Sequence, residues 1–307
     1  MNRRRGALAA LIALTACGKD KATLVLDEAT VTSRLEEIGR DVPGCDVSAG
    51  AELARVMAGV GALPVPDVST VSGTCGGTLT VTSEHANGIT DYTLVAASLC
   101  AGSADGDVVL DGTIQAREIG EPSDVGPVIS AFELDSEGPI AIAQGGGTID
   151  LEIDGIRAEY GKPAAWYPEE PDAANPDVTT VDEVRITFSS DGRTEVLRGL
   201  RVERTGGSGA SLTITDGQLG REGEGFANLR TPPGEPLLID TFGLSLSGGA
   251  IELDGAKDTV LRVTPGGSGT LVFELDGAPF PTGLDCSVGR QPMVEVGMAL
   301  LVSLPIY

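Results

Sequence analysis

Glycine-based turn signals recur along this chain and separate short segments in which apolar and polar residues alternate. The Asn87-Gly88 pair lies between two such segments, residues 78–82 and 92–95, and this dipeptide is the strongest short-range signal for a two-residue β-hairpin turn. Asp-Gly pairs predict further hairpin turns at Asp105-Gly106, Asp111-Gly112, Asp154-Gly155, Asp191-Gly192, Asp216-Gly217, Asp254-Gly255 and Asp276-Gly277. The pattern predicts a mainly β fold with an antiparallel, hairpin-rich sheet, arranged as a meander, a sandwich or an open curved sheet.

The segment around Asp154-Gly155 gives the most specific prediction of register. If this pair forms a two-residue turn, the apolar residues of the two arms share one side of the hairpin. These residues are Ile149, Leu151 and Ile153 on one arm and Ile156, Ala158 and Tyr160 on the other. The opposite side carries charged residues such as Glu152 and Arg157. We therefore expect one face of the sheet to be buried and the other to contact water.

Helical spacing of apolar residues is confined to the beginning of the chain, where residues 30–40 and 48–60 predict one or two short helices. The apolar segment 293–306 predicts a buried final strand. The expected organisation is a tether at 17–27, helices plus β-hairpins at 28–162, a proline-rich acidic loop at 163–178, and a β-region at 179–307 that continues the same sheet.

The beginning of the chain has the layout of a secretory signal. Arginines at positions 3–5 precede an apolar run at 6–14, and Leu14-Thr15-Ala16-Cys17 closes it. The run is shorter than the roughly 20 residues that a membrane-spanning helix needs. Its ending resembles the bacterial lipoprotein signal, and the resemblance covers this segment alone. It implies removal of residues 1–16, diacylation of Cys17 and acylation of the new N-terminus, which together hold a protein durably on a bilayer.

The lipoprotein resemblance implies a location in the cell envelope, with the membrane as a partner through the lipidated N-terminus. Gly18 follows Cys17, and an aspartate at that place would resemble an inner-membrane retention signal. The resemblance therefore favours the outer membrane, with the protein facing the periplasm or the exterior. Loss of residues 1–16 removes three arginines and changes the net charge from −24 to −27. Because so acidic a surface repels nucleic acid, the expected partner is an envelope protein, a glycan or a lipid.

Assigning Cys17 to lipid leaves four cysteines, which are Cys45, Cys75, Cys100 and Cys286. An even number of cysteines in an exported protein favours disulfides, and four cysteines allow three pairings. Counting outward from Asn87-Gly88 places Cys75 directly opposite Cys100, as a non-hydrogen-bonded pair with Cα atoms about 4.5 Å apart. That distance is at the short end of disulfide reach. We therefore predict Cys75–Cys100, which leaves Cys45–Cys286. A metal site is disfavoured, because no two of these cysteines lie within four residues of each other.

Residues with catalytic or cofactor-binding chemistry form no recognisable pattern in the sequence. His85, the one histidine, lies beside a turn and has no Gly-x-Ser-x-Gly nucleophile motif to accompany it. The Gly-Gly-Ser-Gly segments at 206–209 and 266–269 lack the Lys-Ser/Thr of a phosphate loop. Trp166 and Tyr167 have the chemistry either to stack on a ligand or to pack their loop onto the core. We therefore predict no catalytic residue, no cofactor and no metal ligand.

Two clusters of acidic residues are the alternative to that prediction, because Ca²⁺ prefers hard oxygen ligands. One cluster contains Asp105, Asp107 and Asp111, and the other contains Glu169, Glu170, Asp172, Asn175 and Asp177. Neither cluster has the spacing of a helix-loop-helix calcium loop or of a glycine-rich calcium-binding repeat. In a chain with 45 acidic residues, we interpret them first as solvated surface.

These observations favour a lipid-anchored cell-envelope protein with a non-enzymatic binding or structural role. One alternative is a periplasmic carrier or chaperone for apolar cargo, which requires an exposed aliphatic groove. The other is a carboxylate-dependent hydrolase, which requires a cleft with two acidic side chains about 5–10 Å apart.

Overall fold

The structure is a computed structural model that describes residues 21–41, 68–73, 75–101, 107–121, 123–124, 128–144, 147–165, 169–206, 210–239, 246–266 and 271–281. The fold is mainly β, as the sequence predicts. The helix α1 is Glu28–Asp41, and a short 3-10 turn is Ala256–Asp258. The strands are β1 (Val68–Ser72), β2 (Gly76–Ala86), β3 (Ile89–Ala101), β4 (Val108–Glu121), β5 (Val128–Ser136), β6 (Ile140–Gln144), β7 (Gly147–Ala165), β8 (Asp177–Phe188), β9 (Thr194–Thr205), β10 (Ser211–Arg221), β11 (Gly225–Arg230), β12 (Leu237–Ile239), β13 (Leu246–Gly248), β14 (Ile251–Asp254), β15 (Val260–Pro265), β16 (Leu271–Leu275) and β17 (Ala278–Phe280).

The strands form one antiparallel meander in which neighbours in the sheet follow the order of the chain. β5 and β6 are collinear, and both lie between the long strands β4 and β7. In the same way β11 and β12 share one sheet position, and β13 and β14 share the next. The predicted acidic loop therefore connects two parts of a continuous sheet.

Successive connections alternate between the two ends of the sheet, because consecutive strands run in opposite directions. The lower end carries residues 189–193, between β8 and β9, and residues 222–224, between β10 and β11. The upper end carries the Asn87-Gly88 turn and residues 169–176, between β7 and β8.

Two of the predicted Asn-Gly and Asp-Gly pairs form two-residue hairpin turns, as the sequence predicts. Asn87-Gly88 joins β2 to β3 with Ala86 opposite Ile89, and both turn residues have positive φ angles, 54° and 80°, as a type I′ turn requires. Asp276-Gly277 joins β16 to β17 in the same way, with φ angles of 50° and 77°.

Two other pairs lie at chain reversals that are longer than two residues. Asp191-Gly192 lies between β8 and β9. Asp254-Gly255 begins the connection from β14 to β15, which includes the 3-10 turn. Asp105-Gly106 lies outside the described residues.

The hairpin predicted at Asp154-Gly155 is wrong, because this pair lies inside the 19-residue strand β7. Gly155 has a φ of 63°, and its amide donates a hydrogen bond to the Asp135 carboxylate at 2.7 Å. The unusual φ changes which side chains face inward, so that Ile153 and Ile156 are both buried. Pairing with β8 keeps one register on both sides of the glycine, and the chain therefore continues as a strand.

The hairpins predicted at Asp111-Gly112 and Asp216-Gly217 are also wrong. Asp111-Gly112 lies within β4, where a Cβ on residue 112 would come within 2.9 Å of the Ile140 Cα atom. Glycine at this position thus permits close approach of β6. Asp216-Gly217 lies within β10, where two register shifts against β9 mark a bulge.

The first core cluster draws buried side chains from every sheet position between β2 and β14. Its members are Leu79, Val81, Leu94, Leu99, Leu110, Ile114, Ala116, Leu134, Ile140, Ile142, Leu151, Ile153, Ile156, Val181, Val184, Leu200, Val202, Leu212, Ile214, Leu237 and Ile251. Aliphatic side chains dominate this list, as expected for a chain with 4% aromatic residues.

The second core cluster lies where the N-terminal segment packs on β11, β15 and β16. Its members are Leu24, Leu26, Val31, Leu35, Ala227, Leu261, Val263 and Phe273. Asp27 caps α1 by accepting a hydrogen bond from the Thr30 amide at 2.8 Å, so the helix begins two residues before the predicted start. The predicted helix at 48–60 and the predicted strand at 293–306 lie outside the described residues.

Candidate functional site

Cys75 and Cys100 lie at disulfide-bonding distance at the lower end of β2 and β3, with Cα atoms 5.1 Å apart. The predicted register is shifted by one residue, because Ser98 has a φ of 45° and the ladder is irregular there. Gly76 is therefore opposite Cys100, and the Cys75 amide donates a hydrogen bond to the Cys100 carbonyl at 3.3 Å. The prediction of a directly opposed, non-hydrogen-bonded pair is wrong in that detail.

The other cysteine predictions cannot be placed on this sheet, since Cys17, Cys45 and Cys286 lie outside the described residues. Asp107 brings a carboxylate near the Cys75 and Cys100 sulfur atoms. Sulfur atoms joined in a disulfide are not thiolates, so this group does not offer the ligands that a metal ion would need.

The acidic cluster near the upper end binds groups of its own loop. The Asp172 carboxylate accepts hydrogen bonds from the amides of Ala174 and Asn175, each at 2.9 Å. Its other oxygen pairs with Lys162 Nζ at 2.7 Å. Lys162 and the two amides lower the pKa of Asp172 to about 2. These contacts explain the local order of the loop without a bound cation.

Among the described residues, the other members of the two acidic clusters do not form a group of three or more side chains that could hold a metal ion. Asp177, at the start of β8, accepts a hydrogen bond from the Gly161 amide at 3.0 Å and lies 3.6 Å from Arg204. Asp111 accepts a hydrogen bond from the Ser98 amide at 2.6 Å. Glu169 and Glu170 are exposed, and Asp105, Trp166 and Tyr167 lie outside the described residues.

A small polar cluster, the Glu118 cluster, contains His85, Thr90, Tyr92 and Glu118 near the upper end of β2, β3 and β4. His85 and Glu118 both lie directly opposite Thr90 in the sheet, and His85 Nδ1 is 3.0 Å from the Thr90 hydroxyl. Burial raises the pKa of Glu118, and His85 opposes that shift. Burial, together with the charge of Glu118, raises the pKa of Tyr92.

The geometry of the half-buried carboxylates bears on hydrolase chemistry. Burial raises the pKa of Asp177 as well as that of Glu118, against the influence of the Gly161 amide and of Arg204. Three strand spacings separate β4 from β8, which is about 14 Å along the sheet. Glycoside hydrolysis needs carboxyl groups roughly 5–10 Å apart, so these two carboxylates do not form such a pair.

The outer face of the sheet carries a row of directly opposed polar residues, here named the charge ladder. Its members are Asp91, Arg117, Glu133, Arg157, Thr180, Arg201 and Asp216, one each from β3, β4, β5, β7, β8, β9 and β10. Arg117 lies 2.6 Å from Asp91 and 3.8 Å from Glu133, and Arg157 also pairs with Glu133. Opposite charges on adjacent strands favour this register and disfavour its neighbours.

The N-terminal segment is bound to the lower end of the sheet by backbone hydrogen bonds. The amides of Thr23 and Leu24 donate to the Phe226 carbonyl at 2.8 and 3.0 Å, and the Phe226 amide donates to the Thr23 hydroxyl at 2.9 Å. Gly225 permits this approach, because a Cβ there would lie 2.7 Å from Thr23 Oγ1. Part of the predicted tether is thus an integral piece of the fold.

A cluster of paired charges, the Glu195 cluster, holds α1 against the same end. The Glu195 carboxylate lies 3.4 Å from Arg34 of the helix, 2.6 Å from Arg221 and 4.0 Å from Arg193. Arg34 also pairs with Glu224 at 3.0 Å. The three arginine side chains are 9–17% exposed, so these interactions are less screened by water than those of the charge ladder.

Sequence reasoning missed both the docking of Thr23 and the Glu195 cluster. Thr23 and Phe226 are about 200 residues apart, and neither lies in a helical or alternating pattern that identifies its partner. Gly225, close to the Glu222-Gly223-Glu224 turn, was the available signal, because a glycine within a strand often marks a close backbone approach.

No family model, curated protein or solved structure matches this chain. Within the described residues, α1 and the 3-10 turn are too short and too polar to cross a membrane.

Proposed function

We propose that this chain is a lipid-anchored cell-envelope protein with a non-enzymatic binding or structural role. The anchor part of the proposal rests on the resemblance of Leu14-Thr15-Ala16-Cys17 to a lipoprotein signal. Thr23, which follows Cys17 by six positions, is docked on the sheet, so a lipid on Cys17 would lie close to the folded body.

The observation that carries the structural role, against the carrier alternative, is the filled inner face of the sheet. Leu94 is 1% exposed, and Leu200 and Leu212 are each 2% exposed. Aliphatic side chains that line an open groove would form an exposed apolar patch. The buried side chains favour a structural core over a cargo site.

The outer face supports the binding or structural role. From Asp91 to Arg157 the charge ladder presents alternating signs on adjacent strands, and the side chains of Arg117, Asp91 and Arg157 are 41–52% exposed. Fixed complementary charges give an interface its orientation and selectivity more than its affinity. An envelope component that contacts the sheet laterally would meet this surface.

Metabolic labelling with a clickable fatty acid tests the anchor. We expect the wild-type protein to be labelled and to sediment with membranes, whereas Cys17→Ala is unlabelled and its precursor is not processed. The matched control is the Cys75→Ser, Cys100→Ser variant, which loses two cysteines and keeps its label. Labelling of the Cys17→Ala variant would contradict the proposal.

Two further measurements test the role of the body. Organic extraction of the purified protein is expected to release no stoichiometric apolar molecule. Release of such a molecule from both wild-type protein and Cys17→Ala would replace the proposal with the carrier function. Cross-linking in native envelopes through Thr180, the uncharged member of the charge ladder, is expected to capture an envelope component when the protein is anchored and to fail with Cys17→Ala.

A further inference from the structure

The lower end of the sheet is tied to the N-terminal segment close to the proposed lipid. Five residues, 18–22, separate Cys17 from Thr23, and Thr23 is bound to Phe226 at the start of β11. A further contact holds the following residues, because the Leu26 amide donates to the Thr259 hydroxyl at 3.0 Å. The folded body therefore begins at Thr23.

The length of this connection limits the distance between lipid and body. Fully extended, the chain from Cys17 to Thr23 spans about 20 Å at most. The strand β10 alone has 11 residues, a length of roughly 35 Å. The connection is thus shorter than the sheet is tall, and a lipid on Cys17 cannot be placed beside the upper end.

The charges at the two ends of the sheet are consistent with a lipid near the lower end. At the lower end, the arginines of the Glu195 cluster neutralise the neighbouring carboxylates. At the upper end, the loop carries Glu169, Glu170 and Asp172 near Lys162. Anionic headgroups repel an acidic loop, so contact of this loop with an anionic bilayer is unfavourable.

We infer that the lower end of the sheet, with the turn at 222–224 and the outer side of α1, faces the lipid headgroups, and that the upper end projects away from the bilayer. This inference rests on the proposed lipid anchor. It specifies the orientation in which the envelope meets the protein and leaves the charge ladder accessible from the side.

Energy transfer from the protein to the membrane surface tests this orientation. Mature acylated protein is reconstituted into phosphatidylcholine vesicles that contain an acceptor dye on a headgroup, and a donor dye is attached at Glu222→Cys or, as the matched control, at Ala174→Cys. Both sites are exposed, and they lie at opposite ends of the sheet. We expect transfer at least about twofold more efficient from residue 222, because roughly 30 Å of strand rise separates the sites.

A longer connection provides the second arm. Insertion of about 12 Gly and Ser residues between Lys19 and Asp20 adds roughly 40 Å of reach and is expected to abolish the difference between the two dyes. Vesicle flotation distinguishes a failure of the proposed orientation from a failure of the proposed lipid anchor. Protein without the insertion that floats with equal transfer from both dyes overturns the orientation alone, whereas protein that does not float overturns the anchor and the orientation with it.

Discussion

The two core clusters contain similar aliphatic side chains, but the chain reaches them by different routes. The first core cluster is assembled by consecutive strands, each paired with the next through a local connection. The second core cluster needs Leu24, Leu26 and Val31 to pack on strands more than 190 residues later in the sequence. A meander buries its long strands by itself, whereas the short strands β15 and β16 depend on a distant segment for cover.

This difference has an energetic consequence. Loss of the N-terminal segment would expose the second cluster and leave the ladder of the long strands intact, so the segment is expected to open as a separate unit. Among the described residues, the buried members of the first cluster all lie in strands of the meander. The predictions below test this distinction between a continuous core and a core completed by docking.

The largest effect is expected from a cavity in the first cluster. Leu200→Ala should lower the free energy of unfolding by about 2–5 kcal/mol, because a fully buried leucine loses its contacts and leaves a space that the sheet cannot fill. Chemical denaturation measures the change. Leu238→Ala is the matched control, since this leucine is 43% exposed, and an equal loss in both variants would contradict the assignment of the core.

A smaller and more local effect is expected in the second cluster. Leu26 is 3% exposed, and Leu26→Ala should cost about 2 kcal/mol, the lower end of the range for buried leucines, because the docked segment is able to shift. Native-state hydrogen exchange is the measurement. The amides of Phe226 and Val263 should exchange faster while those of β8 and β9 are unchanged; uniform acceleration would show that the two clusters unfold as one.

The Glu118 cluster, at the upper end of the sheet, gives a pH-dependent effect. Burial raises the pKa of Glu118, so the folded state binds this proton more tightly than the unfolded state, and ionisation of the carboxyl destabilises the fold. Glu118→Gln should therefore stabilise the protein by less than about 1 kcal/mol at pH 7, because partial exposure screens the charge. The benefit should fade as the pH falls through the raised pKa of Glu118 and should be absent below about 4, where the carboxyl is protonated in both the folded and the unfolded state.

Thermal unfolding of Glu118→Gln and of the wild-type protein, at pH 7 and below about pH 4, checks this prediction. The exposed Glu121, on the same strand, provides the control, and Glu121→Gln should leave the stability at pH 7 within about 0.5 kcal/mol of wild type. A Glu118→Gln variant that is less stable than wild type at pH 7 would show that the ionised carboxylate is stabilising.

The charge ladder should give the smallest effect. A double-mutant cycle with Arg117→Gln and Asp91→Asn is expected to yield a coupling of about 0.2–1 kcal/mol, because the pair is half exposed and water screens it. The coupling should decrease in high salt. A salt-independent coupling above that range would place the ladder in a less solvated environment than its exposure indicates.

The glycine turns illustrate what could and could not be predicted. Asn87-Gly88 was predicted correctly, because two adjacent residues with positive φ reverse the chain by local geometry alone. The same reasoning failed at Asp154-Gly155, where a positive φ at the glycine changes the inward face without ending the strand. The outcome there depends on β5 and β8, which pair with β7 on both sides.

The candidate surfaces were less predictable than the fold. Each member of the charge ladder is an ordinary charged or polar residue in its own segment. The row can be recognised only when the registers of seven strands are known. The Glu195 cluster likewise joins Arg34 to residues of β9 and β10, a contact that no local pattern encodes.

The sequence by itself determined the β class, the Asn87-Gly88 and Asp276-Gly277 turns and the proximity of Cys75 to Cys100, because alternation and backbone preference act over a few residues. The tertiary structure decided which Asp-Gly pairs continue as strands, where the N-terminal segment docks and how the outer charges align. These features depend on contacts between residues far apart in the chain. Such contacts form only after the strands have paired in one register. A local sequence pattern therefore carries no information about their free energy.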